Sequence, residues 1–221
     1  VSVIAEYEPD IVCLQELDVG RARTGSVDQA RQIADGLSMS VHFNAAMRVE
    51  AEEYGDAILT HHPETLVHAG PLPSVRHIPG IEPRGALWAR IELPDGPINM
   101  LTTHLGLVPR EQRLQANALC GKSWLGHPDC QGPTILAGDF NVTSITRPYQ
   151  TFVQHLADAQ RRMNIRPSIK TFPSQFPTIR IDHVFVSGDI SVKAIEAPRH
   201  PLARVASDHL PLVVDFDIDK P

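Results

Sequence analysis

The 221-residue chain is poor in aromatic residues, 5% of the total, and holds only three cysteines, Cys13, Cys120 and Cys130. An odd count without metal-finger spacing excludes a disulfide framework and a zinc module, and Cys13 lies inside an apolar run as a small core residue would. A reducing, cytoplasmic setting is expected. The sequence has no apolar stretch near the roughly eighteen residues of a membrane span, so none is predicted. It also lacks a surplus of positive charge: 20 Lys and Arg against 26 Asp and Glu give a formal net charge of -6 and a pI of about 6.0. That balance argues against the broad basic face that sequence-independent binding to long nucleic acid requires, although a local basic patch is compatible with it.

What is present is enough for one core. Hydrophobic residues make up 42% of the chain, with no compositional break, repeat or low-complexity tract, so a single domain over 1–221 is expected, read as a monomer. Ser26 followed by Gln29 suggests a capping box before the apolar stripe Val27, Ala30, Ile33, Ala34 and Leu37. β-rich runs bounded by Pro, Gly or Asp predict strands at Ile11 to Leu14, Ala57 to Leu59, Ala86 to Ile91, Ile98 to Thr103, Thr134 to Ala137, Ile181 to Val186 and Leu210 to Phe216. Pro94-Asp95-Gly96-Pro97 predicts a hairpin between the third and fourth of these. Pro109 opens a helix through about Trp124 with Leu114, Ala118 and Leu125 inward, and a shorter helix carries Tyr149, Phe152, Val153 and Leu156. Val1, Ile4 and Ala5 fit one face of a helix end stopped by Glu8-Pro9, and Pro167 to Pro177 reads as a loop. Many strands with few helices suit two packed sheets with helices outside.

Four polar clusters sit at the ends of apolar runs: Gln15-Glu16, His104, Gly138-Asp139-Phe140-Asn141 and Ser207-Asp208-His209. The last is read as opening its strand, so that with an antiparallel final strand all four meet at one sheet edge. Glu16 and Asp208 are carboxylates suited to a hard divalent cation such as Mg²⁺, which binds few protein oxygens and keeps positions for water and phosphate. Asp139 is placed to orient or deprotonate an attacking water, and Asn141 to donate to an oxygen that gains charge. Asp182 is a candidate to hold the His209 imidazole in one tautomer and favour its charged form. His104 offers a second imidazole, with Asp56 as its orienter. Each cluster alone is as well explained by a turn or a strand leaving the core; together they point to metal-assisted phosphoester hydrolysis. His42, His68, His77, His127, His155 and His200 are read as structural or exposed, and so are His61-His62.

Pro9 to Glu16, Thr103-His104-Leu105, Gly138 to Asn141, Ile181-Asp182-His183 and Ser207-Asp208-His209 resemble, in order and over the whole chain, the motifs of the endonuclease/exonuclease/phosphatase superfamily. Glu82-Pro83-Arg84-Gly85-Ala86-Leu87 and Thr171-Phe172-Pro173-Ser174 are similar to its compact bacterial metal-dependent hydrolase branch. The resemblance implies an α/β (α+β), deoxyribonuclease I-like four-layer sandwich of two packed mixed sheets flanked by helices. In it Glu16 binds Mg²⁺ or Mn²⁺ with Asp208 as another metal-site carboxylate, Asp139 positions the water, Asn141, His104 and Arg84 contact the phosphate, and Asp182 supports His209. The family's first strand, which carries an Asn of the metal site, has no counterpart before Val1, so an N-terminally truncated domain is expected.

The function implied is phosphodiester or phosphomonoester hydrolysis by in-line water attack. The favoured substrate is a small-molecule or lipid-derived phosphoester. A nuclease acting on DNA or RNA is the nearest alternative, and a catalytically silent binding module of the same fold stands as a third. The candidate specificity loops, Val49 to Glu53, Gly70 to Pro83 and Arg166 to Thr178, carry no diagnostic chemistry.

Overall fold

The computed structural model describes residues 1–75 and 80–219. His77 and the centre of the expected Gly70 to Pro83 loop lie outside the described residues. In chain order the helices are α1 (Ser2–Ala5), α2 (Gln29–Leu37), α3 (Pro109–Leu119), α4 (Arg147–Val153), α5 (Ala159–Arg162) and α6 (Pro201–Ala206). The strands are β1 (Ile11–Val19), β2 (Ser40–Val49), β3 (Glu52–Thr60), β4 (Glu64–Pro71), β5 (Gly85–Leu93), β6 (Gly96–His104), β7 (Thr134–Asp139), β8 (Ala157–Asp158), β9 (Asp182–Val186), β10 (Ile190–Glu196) and β11 (Val213–Ile218).

A mixed six-stranded sheet runs in the order β4-β5-β6-β7-β9-β8, with β6 and β7 parallel and β9 antiparallel to β7. A three-stranded sheet, β1-β3-β2, and the hairpin-like pair β10-β11 form the second layer. Alternation along β5 explains the stacking. Leu87, Ala89 and Ile91 face a core shared with Ile58 of β3, Ile11 and Cys13 of β1, and Phe216 of β11, whereas Ala86 and Trp88 face Ala116, Leu119, Tyr149 and Phe152 of α3 and α4. On the far side of β1 and β3, Val12, Ala57 and Leu59 pack with Ala30 and Ala34 of α2. Helix, sheet, sheet, helix is the expected four-layer sandwich. The expected Pro94–Pro97 hairpin joins β5 and β6 in antiparallel register.

Several local expectations are corrected. Helix α2 is capped by Asp28, whose carboxylate accepts the Arg31 N–H at 2.9 Å, while Ser26 has a left-handed φ of 58° and Val27 is exposed. Helix α3 ends at Leu119; Ala118 and Leu125 pack on the core as expected, beside buried Ala116 and Leu119, but Leu114 is exposed and the polar Gln112 and Gln115 are buried. Gln112 and Gln115 share the inward face because each satisfies loop backbone groups, Gln115 Oε1 accepting from Gly106 N–H and Gln112 donating to the carbonyls of Gly106 and Asn141. In α1, Val3 is buried and Val1 exposed. The last strand begins at Val213, so Asp208-His209 lies on a loop between α6 and β11. The four clusters therefore meet at one end of two stacked sheets instead of one sheet edge.

That end is shaped by irregular pairing. Between Leu14 and Leu17 two residues of β1, Gln15 and Glu16, stand opposite Asp56 alone, a β-bulge with Glu16 at φ 62°. Gly55 beside it is required sterically, since a Cβ there would lie 1.9 Å from the Asn44 carbonyl oxygen. Among the described residues no helix is long and apolar enough to cross a membrane, and the three cysteines are free.

Candidate active site

His104 and Asp139 end the parallel strands β6 and β7 in register with one another, and Asp182 opens β9 directly opposite Asp139. Strand pairing alone thus brings three of the expected residues together. Gly138 is part of the same construction: at φ 149°, its Cβ would sit 2.0 Å from the Thr103 carbonyl oxygen, so only glycine lets β7 approach β6 here. Asn141 follows in the left-handed region at φ 51°, where its backbone N–H caps Asp139 Oδ1 at 2.8 Å.

His104 is buried, and burial together with the positive charges of Arg84 and His209 pushes it down to about 3. The ring is therefore neutral. Its Nδ1 lies 3.1 Å from Arg84 Nη1, and a guanidinium can only donate, so Nδ1 accepts and Nε2 carries the proton. Nε2 faces Asn141 Nδ2 at 3.0 Å and Asp139 Oδ2 at 3.5 Å, and the Asn141 amide also donates to the Leu105 carbonyl at 3.0 Å. Two donors converging in this way suit an oxygen that lies within reach of both.

His209 is the opposite case. Burial alone would lower its pKa, but the Asp182 hydrogen bond and charge, with Asp139 and Asp208 adding to them, raise it to about 9. Its Nδ1–H donates to Asp182 Oδ2 at 2.9 Å, the same oxygen that accepts from Thr171 Oγ, and its ring packs on Phe172 with centroids 4.7 Å apart. The other ring nitrogen faces Asp139 Oδ2 at 3.8 Å. Asp139 is pushed up to about 7 by burial first and by Asp182 second, against the pull of the Asn141 N–H and His209.

Glu16 is exposed, with its carboxylate 3.6 Å from His104 Nδ1. Asp56 does not orient His104 as expected. Burial raises its carboxyl to about 7, opposed first by Arg84, and it also faces the Glu16 backbone N–H. Arg84 takes the place beside His104, with Glu82 3.3 Å from Nη2 and a buried Nε that has no partner among the described residues. Asp208 is exposed; its carbonyl accepts from Ser174 N–H at 2.7 Å. Tyr54 and Gln112, and the role of Thr171, went unread in the sequence. Tyr54, between Glu16 and Arg84, is held above its ordinary pKa chiefly by burial; Thr171 belongs to a quoted motif, but its bond to Asp182, like the roles of Tyr54 and Gln112, is revealed only by the fold.

The donor set suits a hard cation. Glu16, Asp56, Asp139 and Asp182 are four carboxyl groups against two cations, Arg84 and charged His209. Ligand atoms of Asp139, Asp182 and His209 also lie within 4.8 Å of one another. That trio is better occupied by its proton, because a charged imidazole repels a metal and its Nδ1–H already binds Asp182. Exposed Glu16, next to neutral His104, is the freer oxygen donor.

Behind the site lies a buried polar knot. Asp158 accepts from Tyr149 Oη at 2.7 Å and, on its two oxygens, from Arg180 Nη2 at 2.8 and 2.7 Å, while His183 Nε2–H donates to the Val142 carbonyl at 2.8 Å. It fastens the Asn141–Val142 turn to the strand that carries Asp182.

Comparison with known proteins agrees with this geometry. A sequence model of the Endonuclease/Exonuclease/phosphatase family matches residues 1–209. The chain is 28% identical over 219 residues to the uncharacterized protein YbhP of Escherichia coli strain K12, covering 95% of this chain and 83% of that protein. A crystal structure of an endonuclease/exonuclease/phosphatase from Beutenbergia cavernae superposes with a TM-score of 0.73 at 25% identity, over 99% of this chain and 65% of that one. The mannosyl-6-phosphatase of Bacteroides thetaiotaomicron gives a TM-score of 0.78 at 22% identity, over 98% and 88%. Members of the family hydrolyse phosphoesters and generally depend on a divalent metal. Motif order, strand register and these matches together place the chain in the endonuclease/exonuclease/phosphatase family.

Proposed function

We propose that the chain is an Mg²⁺- or Mn²⁺-dependent phosphoester hydrolase acting on a small or lipid-derived phosphoester by in-line attack of water. The observation that carries the reading is that two imidazoles flank one buried carboxylate oxygen, Asp139 Oδ2, at 3.5 and 3.8 Å, His104 backed by the Arg84 guanidinium, which favours its neutral form, and His209 by the Asp182 carboxylate, which favours its charged one. Asp139 Oδ1 is occupied by the Asn141 N–H, which leaves Oδ2 to orient a water and take its proton. A base poised near 7 suits that task at neutral pH. His209 Nε2–H, held charged by Asp182, donates to a phosphoryl oxygen, and the converging His104 and Asn141 donors receive another as charge builds in the transition state. Arg84 acts through His104, fixing its tautomer, and is a further candidate contact to phosphate.

Glu16, with Asp208 as the second carboxylate, is the proposed holder of the cation, which when bound polarises the phosphoryl group and offsets its charge. The test is hydrolysis of a chromogenic phosphodiester and its monoester counterpart with Mg²⁺ or Mn²⁺ and with chelator. Asp139→Asn keeps the shape but cannot accept the proton, and a loss of roughly 10²–10⁴-fold is expected. Near-wild-type turnover by that variant, or full activity under chelation, would refute the assignment.

A further inference from the structure

The loops that leave the site, and the end of α6 beside it, carry large apolar side chains standing in solvent. Leu107 follows β6 and is 72% exposed; Ile145 follows β7 and is 89% exposed; Phe176 precedes β9 at 80%; and Val205, four residues before His209, is 72% exposed. Because β6 and β7 are parallel and β9 antiparallel to them, their loops share one end of the sheet, the end that bears His104, Asp139 and Asp182. The loops are also tied in pairs. Gln112 binds the carbonyls of Gly106 and Asn141, next to Leu107 and ahead of Ile145. Ser174 and Gln175 bind the Arg204 carbonyl, beside Phe176 and Val205. The two apolar pairs therefore stand on hydrogen-bonded footings in segments that lead to the catalytic groups.

Scattered single apolar residues on a surface need no explanation, but four on the rim of one site do. At 72–89% exposure each side chain projects alone, without the concave walls that a protein ligand's anchor fills. Two exposed arginines accompany them, Arg110 three residues after Leu107 and Arg147 two after Ile145, and neither has an acidic partner among the described residues. Projecting aliphatic and aromatic groups interleaved with free cations match the interface of a lipid bilayer, with its apolar interior and phosphate-bearing surface. We infer that this rim is a docking surface for a phospholipid bilayer or micelle, which presents a lipid phosphoester to the site. The inference rests on the hydrolase reading for its catalytic consequence, but not for the binding itself. With a net charge of -6 on the whole chain, apolar insertion must outweigh electrostatic attraction.

The test is co-sedimentation of the full chain with vesicles of phosphatidylcholine, alone or mixed with phosphatidylglycerol, beside hydrolysis of a soluble chromogenic phosphoester. The wild type is expected to bind both vesicles. Replacing Leu107, Ile145, Phe176 and Val205 together by Ser should abolish binding, each inserted group being worth about tenfold in partitioning, with soluble-ester turnover and melting temperature unchanged. Arg110→Gln with Arg147→Gln should remove only the extra binding to phosphatidylglycerol, about fivefold per arginine. No vesicle binding by the wild type, undiminished binding by the fourfold variant, or self-association abolished by the same substitutions would overturn the surface. Vesicle binding without any phosphoester hydrolysis would support the surface and sink the catalytic reading instead.

Discussion

Replacing Asp158 by Asn removes one charge from the buried knot while keeping its shape. Asp158 takes two hydrogen bonds from Arg180 Nη2 and one from Tyr149, and its Oδ1 caps α5 through the Arg161 N–H at 3.1 Å. His183 Nδ1 stands 3.7 Å away. Burial would raise the Asp158 pKa, yet His183, Arg180 and Tyr149 outweigh it and hold the carboxyl well below the usual range. Removing one partner of a buried ion pair costs roughly 3–5 kcal/mol, and since the Asn oxygen still accepts, the lower end, about 3 kcal/mol, is expected. In a chain of this size that lowers the melting temperature by about 6–12 °C. Urea unfolding should show the midpoint falling with an unchanged slope. The pH arm has a definite sign. Because folding depresses this pKa, the stabilisation is complete above the unfolded value near 4 and is lost as pH falls toward the folded one. The wild type should therefore lose stability below about pH 4 more steeply than Asp158→Asn. A variant within about 0.5 kcal/mol of wild type, or one with the same acid limb, would refute the argument. Turnover should fall as well, because the knot that backs the turn bearing Asn141 is loosened.

The pH profile of kcat/KM should rise as Asp139 loses its proton through about 7 and fall as His209 loses its own through about 9. In Asp182→Asn, burial acts on His209 with its main counterweight gone, so the alkaline fall should move toward neutrality; an unmoved limb in the rate profile would contradict the pairing. Gly138→Ala forces a Cβ to 2.0 Å from the Thr103 carbonyl, and a loss of roughly 3 kcal/mol or more, or insoluble protein, is expected on expression and melting. Glu16→Gln should raise the Mg²⁺ concentration needed for half-maximal turnover without lowering the melting temperature, in a metal titration of activity.

What could be read in advance follows the range of the interactions. Gly138 to Asn141 and the Pro94–Pro97 turn are legible because their geometry is set by adjacent residues. So is the pairing of Asp182 with His209, since the chemistry of each motif implies a partner. Leu114 misled because α3's inward face uses Gln112 and Gln115, whose burial makes sense only beside carbonyls from distant loops. Strands β2, β4 and β10 escaped notice because partial exposure blurs their alternation. Asp56 was given the wrong partner because the guanidinium that claims it, Arg84, lies twenty-eight positions away. The Asp158–Arg180 knot joins residues with no common motif, and nothing local announces it.

The bulge at Glu16 has a consequence beyond tilting one carboxylate. Along β1, Ile11 and Cys13 point between the sheets while Val12 and Leu14 point toward α2, so an unbroken strand would send Leu17 between the sheets and Asp18 toward the helix. The extra residue reverses the phase, and Leu17 joins the cluster against α2. Asp18 is freed to be clamped by Arg23 at 2.6 Å. Two half-strands of opposite phase are thus spliced at Glu16, the proposed holder of the cation. Its left-handed backbone is locked by where Leu17 and Asp18 must go, and deleting a single residue at the splice would turn the second half-strand inside out before it touched the chemistry.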